Sequence, residues 1–206
     1  LTLVIFQQID VPAIDPFSFP ALTKMFHEVI VGGLMGLTLQ LVSAAVILSG
    51  QMVSNGMGLG MANMIDPNLG NVPTFSNFFL VIALLAFLSL GGHLVLISVL
   101  VDSYSSVPIG NGMLSLASIE GFLGWTSQMF IGAVTLVLPV LVALLMINVS
   151  LGVISRASPS LNIFAVGFPA LIPAGLVLVT LTLTFYYTRL ETLWYDSFRF
   201  LQQSLF

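Results

Sequence analysis

Four long apolar runs dominate the chain and decide most of what it can fold into. Val29–Leu48 holds 20 residues without a charged side chain. As a helix that is ~30 Å, enough to cross a hydrocarbon core. Comparable runs occupy Phe75–Val101, Trp125–Ile154 and Ile163–Thr188. No stretch alternates apolar and polar residues with the period of two that a half-buried strand needs. The short polar connection at Ser155–Asn162 makes the third and fourth runs antiparallel neighbours. The expected fold is therefore all-α, built from helical hairpins in or beside a membrane. Gly91-Gly92-His93, Pro139, Pro169 and Pro173 interrupt the runs, so the hairpins are expected to be kinked.

Composition removes several function classes. Four Lys+Arg and eight Asp+Glu make 6% of the 206 residues charged, against 58% hydrophobic. So few charges cannot cover the surface of a water-soluble monomer. Four scattered cations form no patch for phosphates, so nucleic acid is not an expected partner. Cysteine is absent, which excludes disulfides, thiolate metal sites and cysteine nucleophiles. His27 and His93 lie far apart and form no helix-borne metal pair. No GxGD, GxSG or HExxH motif is present, so neither an enzyme nor a cofactor or metal site is expected.

Between the runs the chain divides as follows. Leu1–Phe6 reads as the end of an apolar helix, and residues 7–20, with Pro12, Pro16 and Pro20, as a loop. A helix is expected from about Ala21 to Val53. Gly32, Gly33, Gly36, Ser43, Ala44 and Ala45 give it small faces for close helix contact. Asp102–Gly112 should end the second run. Met113–Gly124 reads as a shorter separate helix, and Arg189–Phe206 as a more amphipathic piece.

The segment Ser54–Thr74 stands apart. It combines four glycines and two prolines with three methionines, a pairing a solvated loop does not need. Gly56, Gly58 and Gly60 offer backbone freedom. Met57, Leu59, Met61 and Met64 offer soft apolar bulk that repacks easily. The pattern is not a phosphate loop, because Asn63 stands where the third fingerprint glycine belongs and no strand precedes it. The sequence thus points to a movable seal running through Asn55, Gly56, Met57, Gly58, Leu59, Gly60, Met61, Ala62, Asn63, Met64, Ile65, Asp66 and Pro67. Asp66 before Pro67 reads first as a turn cap. Gly167, Phe168, Pro169 and Pro173 read as a bend in the fourth run that shapes a subunit contact or a pore wall.

Taken together, several segments resemble the FliR export-gate family of bacterial flagella, which type III secretion systems share. They are Gly56–Pro67, Gly92-His93-Leu94, Leu100-Val101-Asp102, Pro108-Ile109-Gly110 and Arg156-Ala157-Ser158-Pro159-Ser160-Leu161-Asn162-Ile163-Phe164, followed by Gly167-Phe168-Pro169. They occur in the family's order across most of residues 40–180. Ser160 departs from the glutamine common in the family. The absence of lysine from Gly167–Pro173 favours the flagellar branch over the injectisome branch. The resemblance implies one export-gate domain over residues 1–206, with an N-terminal hydrophobic hairpin and a C-terminal tail beyond them. It further implies a non-enzymatic subunit that joins FliP and FliQ, with FlhB nearby, in a channel of the bacterial inner membrane at the flagellar basal body. Such a channel passes unfolded flagellar proteins and touches membrane lipid. The family's plug loop corresponds to about Asn55–Val72.

The residues alone also allow a second reading, a secondary transporter with broken helices. It would use Asn63, Asp66 or His93 as substrate or proton ligands. The lack of an internal repeat and of convergent charges speaks against it.

Overall fold

The computed structural model describes residues 18–59, 74–106, 116–158 and 163–205. Helix α1 spans Phe19–Gly56, α2 Thr74–Ser89, α3 Gly92–Ser106, α4 Leu116–Ala157 and α5 Ile163–Phe200; a π-turn, Leu201–Leu205, extends α5. Among the described residues no strand occurs, and the all-α expectation is met. α1, α4 and α5 are each long and apolar enough to cross a membrane. The pair α2 and α3 passes the same test only together, bent by 64° at its break.

Several boundaries differ from the sequence reading. α1 begins two residues earlier than expected. Ser18 caps it, its carbonyl and hydroxyl oxygens accepting from the Ala21 N–H at 3.0 and 3.4 Å. Pro20 fits the first turn, where its missing N–H costs nothing. α1 also continues through Ser54, Asn55 and Gly56, which the sequence assigned to the irregular segment. Met113–Gly124 and the third run are not separate helices. α4 runs unbroken for 42 residues through Gly124 and Pro139. At Gly124 an added Cβ would meet nothing within 4 Å, so neither bulk nor strain marks a stop there. α5 likewise passes the charged residues Arg189 and Glu191 without interruption. Charge changes the solvent a helix prefers, not its ability to continue.

Conversely, the run Phe75–Val101 is two helices. Gly91 adopts φ 69°, its N–H donating to Leu88 O at 3.1 Å while its own carbonyl accepts from Leu94 at 2.8 Å. One residue thus ends α2 and caps α3. A Cβ on Gly92 would collide with the Phe87 ring. The segment Leu1–Phe6, the Pro108-Ile109-Gly110 motif and residues 159–162 lie outside the described residues.

The chain packs as two compact units. The first takes residues up to Val42, Phe87–Met129 and Thr192 onward. Its core joins Val31, Met35, Val99, Phe198 and Leu201. Aromatic rings surround it: Phe87 meets Trp194 at 4.8 Å and Phe198 at 6.2 Å, and Trp125 stacks on Phe200 at 5.0 Å. A cleft of about 340 Å³ opens between Phe87, Trp194, Phe198, Arg199 and Gln202, and the Trp194 indole N–H is buried there without a hydrogen-bond partner.

The second unit comprises Ser43–Ala86 and Phe130–Glu191. Here backbones approach closely. A Cβ on Gly50 would strike the Ser76 backbone. Ala45, Ala83 and Ala133 are buried in this unit, and the Ser76 hydroxyl donates to Ile47 O across to α1 at 2.9 Å. Phe79 stacks on Tyr186 at 4.5 Å. The Tyr186 hydroxyl is buried near Ser49 without a well-formed hydrogen bond, while the Ser49 hydroxyl donates to Val46 O at 2.7 Å.

Candidate functional site at the end of the first helix

The described part of the candidate seal, Asn55–Leu59, comprises the last two residues of α1 and the turn that follows it, within the second unit. The Met57 N–H donates to Val53 O and the Gly58 N–H to Asn55 O, both at 3.0 Å. Gly58 has φ 78°, a conformation that costs an L side chain ~1–2 kcal/mol and glycine almost nothing. This is the ordinary glycine stop of a helix. Gly60 through Pro67, with Asn63 and Asp66, lie outside the described residues.

Met57 is fully buried. Its side chain lies along the backbone of Gly175 in α5. A Cβ placed on Gly175 would stand 2.6 Å from Met57 Cγ and 2.8 Å from its Sδ. No residue but glycine fits there while Met57 keeps this position. The methionine's unbranched side chain suits such a narrow slot.

α4 closes the other side. The Asn148 Nδ2 group donates to Gly56 O at 3.1 Å and to Leu144 O at 2.9 Å. The Gly56 carbonyl is one of the groups that a helix end leaves without an intrahelical partner, and the amide of α4 satisfies it. A Cβ on Gly56 would lie 3.1 Å from Leu144 Cδ1, so the small residue lets the two helices meet at this level. Asn148 was not legible as a site residue. It is a lone amide in an apolar run, and its partner is 92 positions away.

The second expected group lies on α5. Gly167 is buried, in the same helical row as buried Leu171, Gly175 and Val179, whereas Pro169 and Pro173 are exposed. Phe168 lies within the helix. Both prolines sit inside the continuous helix α5. Pro173 is two residues from Gly175, but it is exposed, and the residue of α5 that meets Met57 is Gly175, which the sequence reading had not singled out. His93, a ligand in the transporter reading, is exposed in the first turn of α3 and belongs to the other unit. The glycines expected to make close contacts in the first half of α1 behave differently: a Cβ on Gly32, Gly33 or Gly36 would meet nothing within 4 Å.

The sequence matches the family described as bacterial export proteins, family 1, over residues 1–197. The chain belongs to that family. It is 36% identical over 171 residues to the flagellar biosynthetic protein FliR of Escherichia coli K12, covering 82% of this chain and 64% of that relative. It is 33% identical over 190 residues to the FliR of Pectobacterium carotovorum, covering 89% of this chain and 70% of that relative. The Yop proteins translocation protein T of Yersinia pestis is 29% identical over 161 residues, 77% of this chain and 62% of its own length. The chain spans about two thirds of the length of these export-family relatives.

Proposed function

We propose that this chain is the FliR-type subunit of a flagellar type III export gate. It acts by structure, not catalysis, and contributes to the channel that passes unfolded flagellar proteins across the inner membrane at the basal body. FliP and FliQ homologues are its partners, with FlhB beside them. The match to the export family over residues 1–197 carries this reading. The fold supports it: apolar helices long enough for a membrane keep large exposed apolar residues, such as Phe130, Leu145, Met146 and Leu181, for lipid or neighbouring subunits.

Within that reading, the plug of the lumen is the Gly- and Met-rich segment that follows Gly58. The supporting observation is its composition, which joins glycines, conformationally permissive as a residue type, to soft apolar side chains. The described geometry narrows the useful deletion. Removing Gly56 and Met57 would also remove a helix cap and a buried side chain, so the deletion should cover 60–67 only. In the full-length protein, produced with its partners, that deletion is expected to leave assembly intact and to make cells leak small ions. A fully assembled complex as tight as the unaltered one would sink the plug assignment. Failure of the chain to co-purify with FliP and FliQ homologues would sink the export-gate assignment itself.

A further inference from the structure

We infer that Met57 is a fixed anchor that positions the end of α1, not a moving part of the seal; this rests on the plug reading above and deepens it. Sequence alone groups Met57 with Met61 and Met64, since all three share the same glycine-rich surroundings. The packing separates it from them. Met57 is fully buried against the Gly175 backbone, and the preceding carbonyl is held by Asn148. Three helices of the second unit thus meet at one level: α1 through Gly56 and Met57, α4 through Leu144 and Asn148, and α5 through Gly175.

To leave this slot, Met57 would have to vacate a space shaped by a glycine, and Gly56 O would lose the amide that satisfies it. The Gly56 and Asn148 pair is not itself buried, but a carbonyl without a partner is costly wherever lipid or protein, and not water, takes the amide's place. The next residue, Gly58, has the positive φ that ends the helix. The change of chain direction therefore follows the anchor, and the two do not overlap. Met57, Asn148 and Gly175 are positioning residues: they fix where the segment beyond Gly58 starts.

The absence of cysteine allows a direct test. Met57 Cγ is 2.6 Å from the Cβ position of Gly175. One bond further back, the Met57 Cβ falls within about 4.1 Å of it, compatible with the ~3.5–4.5 Å of disulfide carbons. Met57→Cys with Gly175→Cys, in the full-length protein with its partners, should form a disulfide on mild oxidation. The shortened residue at 57 makes room for the new one at 175. Export of a flagellar substrate and small-ion leak should be the same in the oxidised and reduced states, with no loss of export on locking. Export that stops on oxidation and returns with reductant would show that Met57 leaves its slot during opening; the anchor would be overturned while the plug reading stood. Failure of the disulfide to form would also overturn the anchor. Absence of a leak in the 60–67 deletion would overturn the plug reading instead. Asn148→Leu gives an independent reading: assembly should persist while ion leak rises, and a tight membrane in that variant would remove Asn148 from the anchor.

Discussion

The two units of the chain both stack aromatic rings, but only the second adds a close approach of helix backbones. In the second, the charges among the described residues are Arg156, Arg189 and Glu191, near the ends of α4 and α5, and small residues let helices approach beside the ring contacts of Phe79. Gly50 lies against Ser76, Gly56 against Leu144 and Gly175 against Met57. In the first unit, Lys24, Glu28, Asp102, Glu120, Asp196 and Arg199 are spread over α1, α3, α4 and α5, and rings pack around an aliphatic core. The difference follows from what drives association. Between apolar helices in lipid, burial of apolar area gives little advantage, so close van der Waals fit and a few interhelical hydrogen bonds must hold them. Where charges show that water or polar surroundings are near, large aromatic side chains again gain from being buried. Small residues in an apolar helix are therefore not equivalent, and only packing tells which of them are contacts.

The largest expected effect belongs to Phe79→Ala. It removes a buried ring of the second unit that stacks on Tyr186. A loss of ~3–5 kcal/mol is expected. It should appear as a large fall in the thermal midpoint of the purified complex in detergent; an unchanged midpoint would refute the tight-packing account of this unit. Next in size is Gly50→Ala. The added methyl meets the Ser76 backbone, which cannot rotate away, so the helices must separate. That overpacking should cost ~1–3 kcal/mol and lower the yield of folded protein. The smallest effect, of opposite sign, belongs to Gly33→Ala in the first unit. Open space surrounds that position within the chain, and alanine is the better helix former by up to about 1 kcal/mol. The isolated chain should gain slightly in thermal midpoint. A gain in the isolated chain that turns into a loss in the assembled complex would reveal that a partner helix packs on Gly33.

The sequence displayed the helices more clearly than their ends. Hydropathy marks where a helix meets lipid, so it split α4 near Trp125 and ended α5 near Arg189, although both continue. It also fused α2 and α3, because both are apolar and the break rests on the backbone angle of one glycine. The Gly- and Met-rich segment was conspicuous by composition, and Gly58 does stop a helix there. What composition could not separate was Met57 from its neighbours, since the glycine that holds it is far along the chain. Asn148 was invisible for the same reason.

The Gly91-Gly92 pair shows how two identical residues can be required for unrelated reasons. At Gly91 the space on the side-chain face is open, and only handedness objects: φ 69° suits the mirror-image form of an ordinary amino acid. Asparagine or aspartate, which tolerate that region best among L residues, are the least costly replacements there. At Gly92 handedness is irrelevant, and the Phe87 ring occupies the place of any side chain. A smaller residue at 87 would therefore remove the ring from Gly92's side-chain space, leaving only the Phe87 carbonyl at 3.0 Å, and would leave the constraint on Gly91 untouched. Evolution can ease one of these glycines through a change at another position, whereas the other is bound to the chirality of the chain itself.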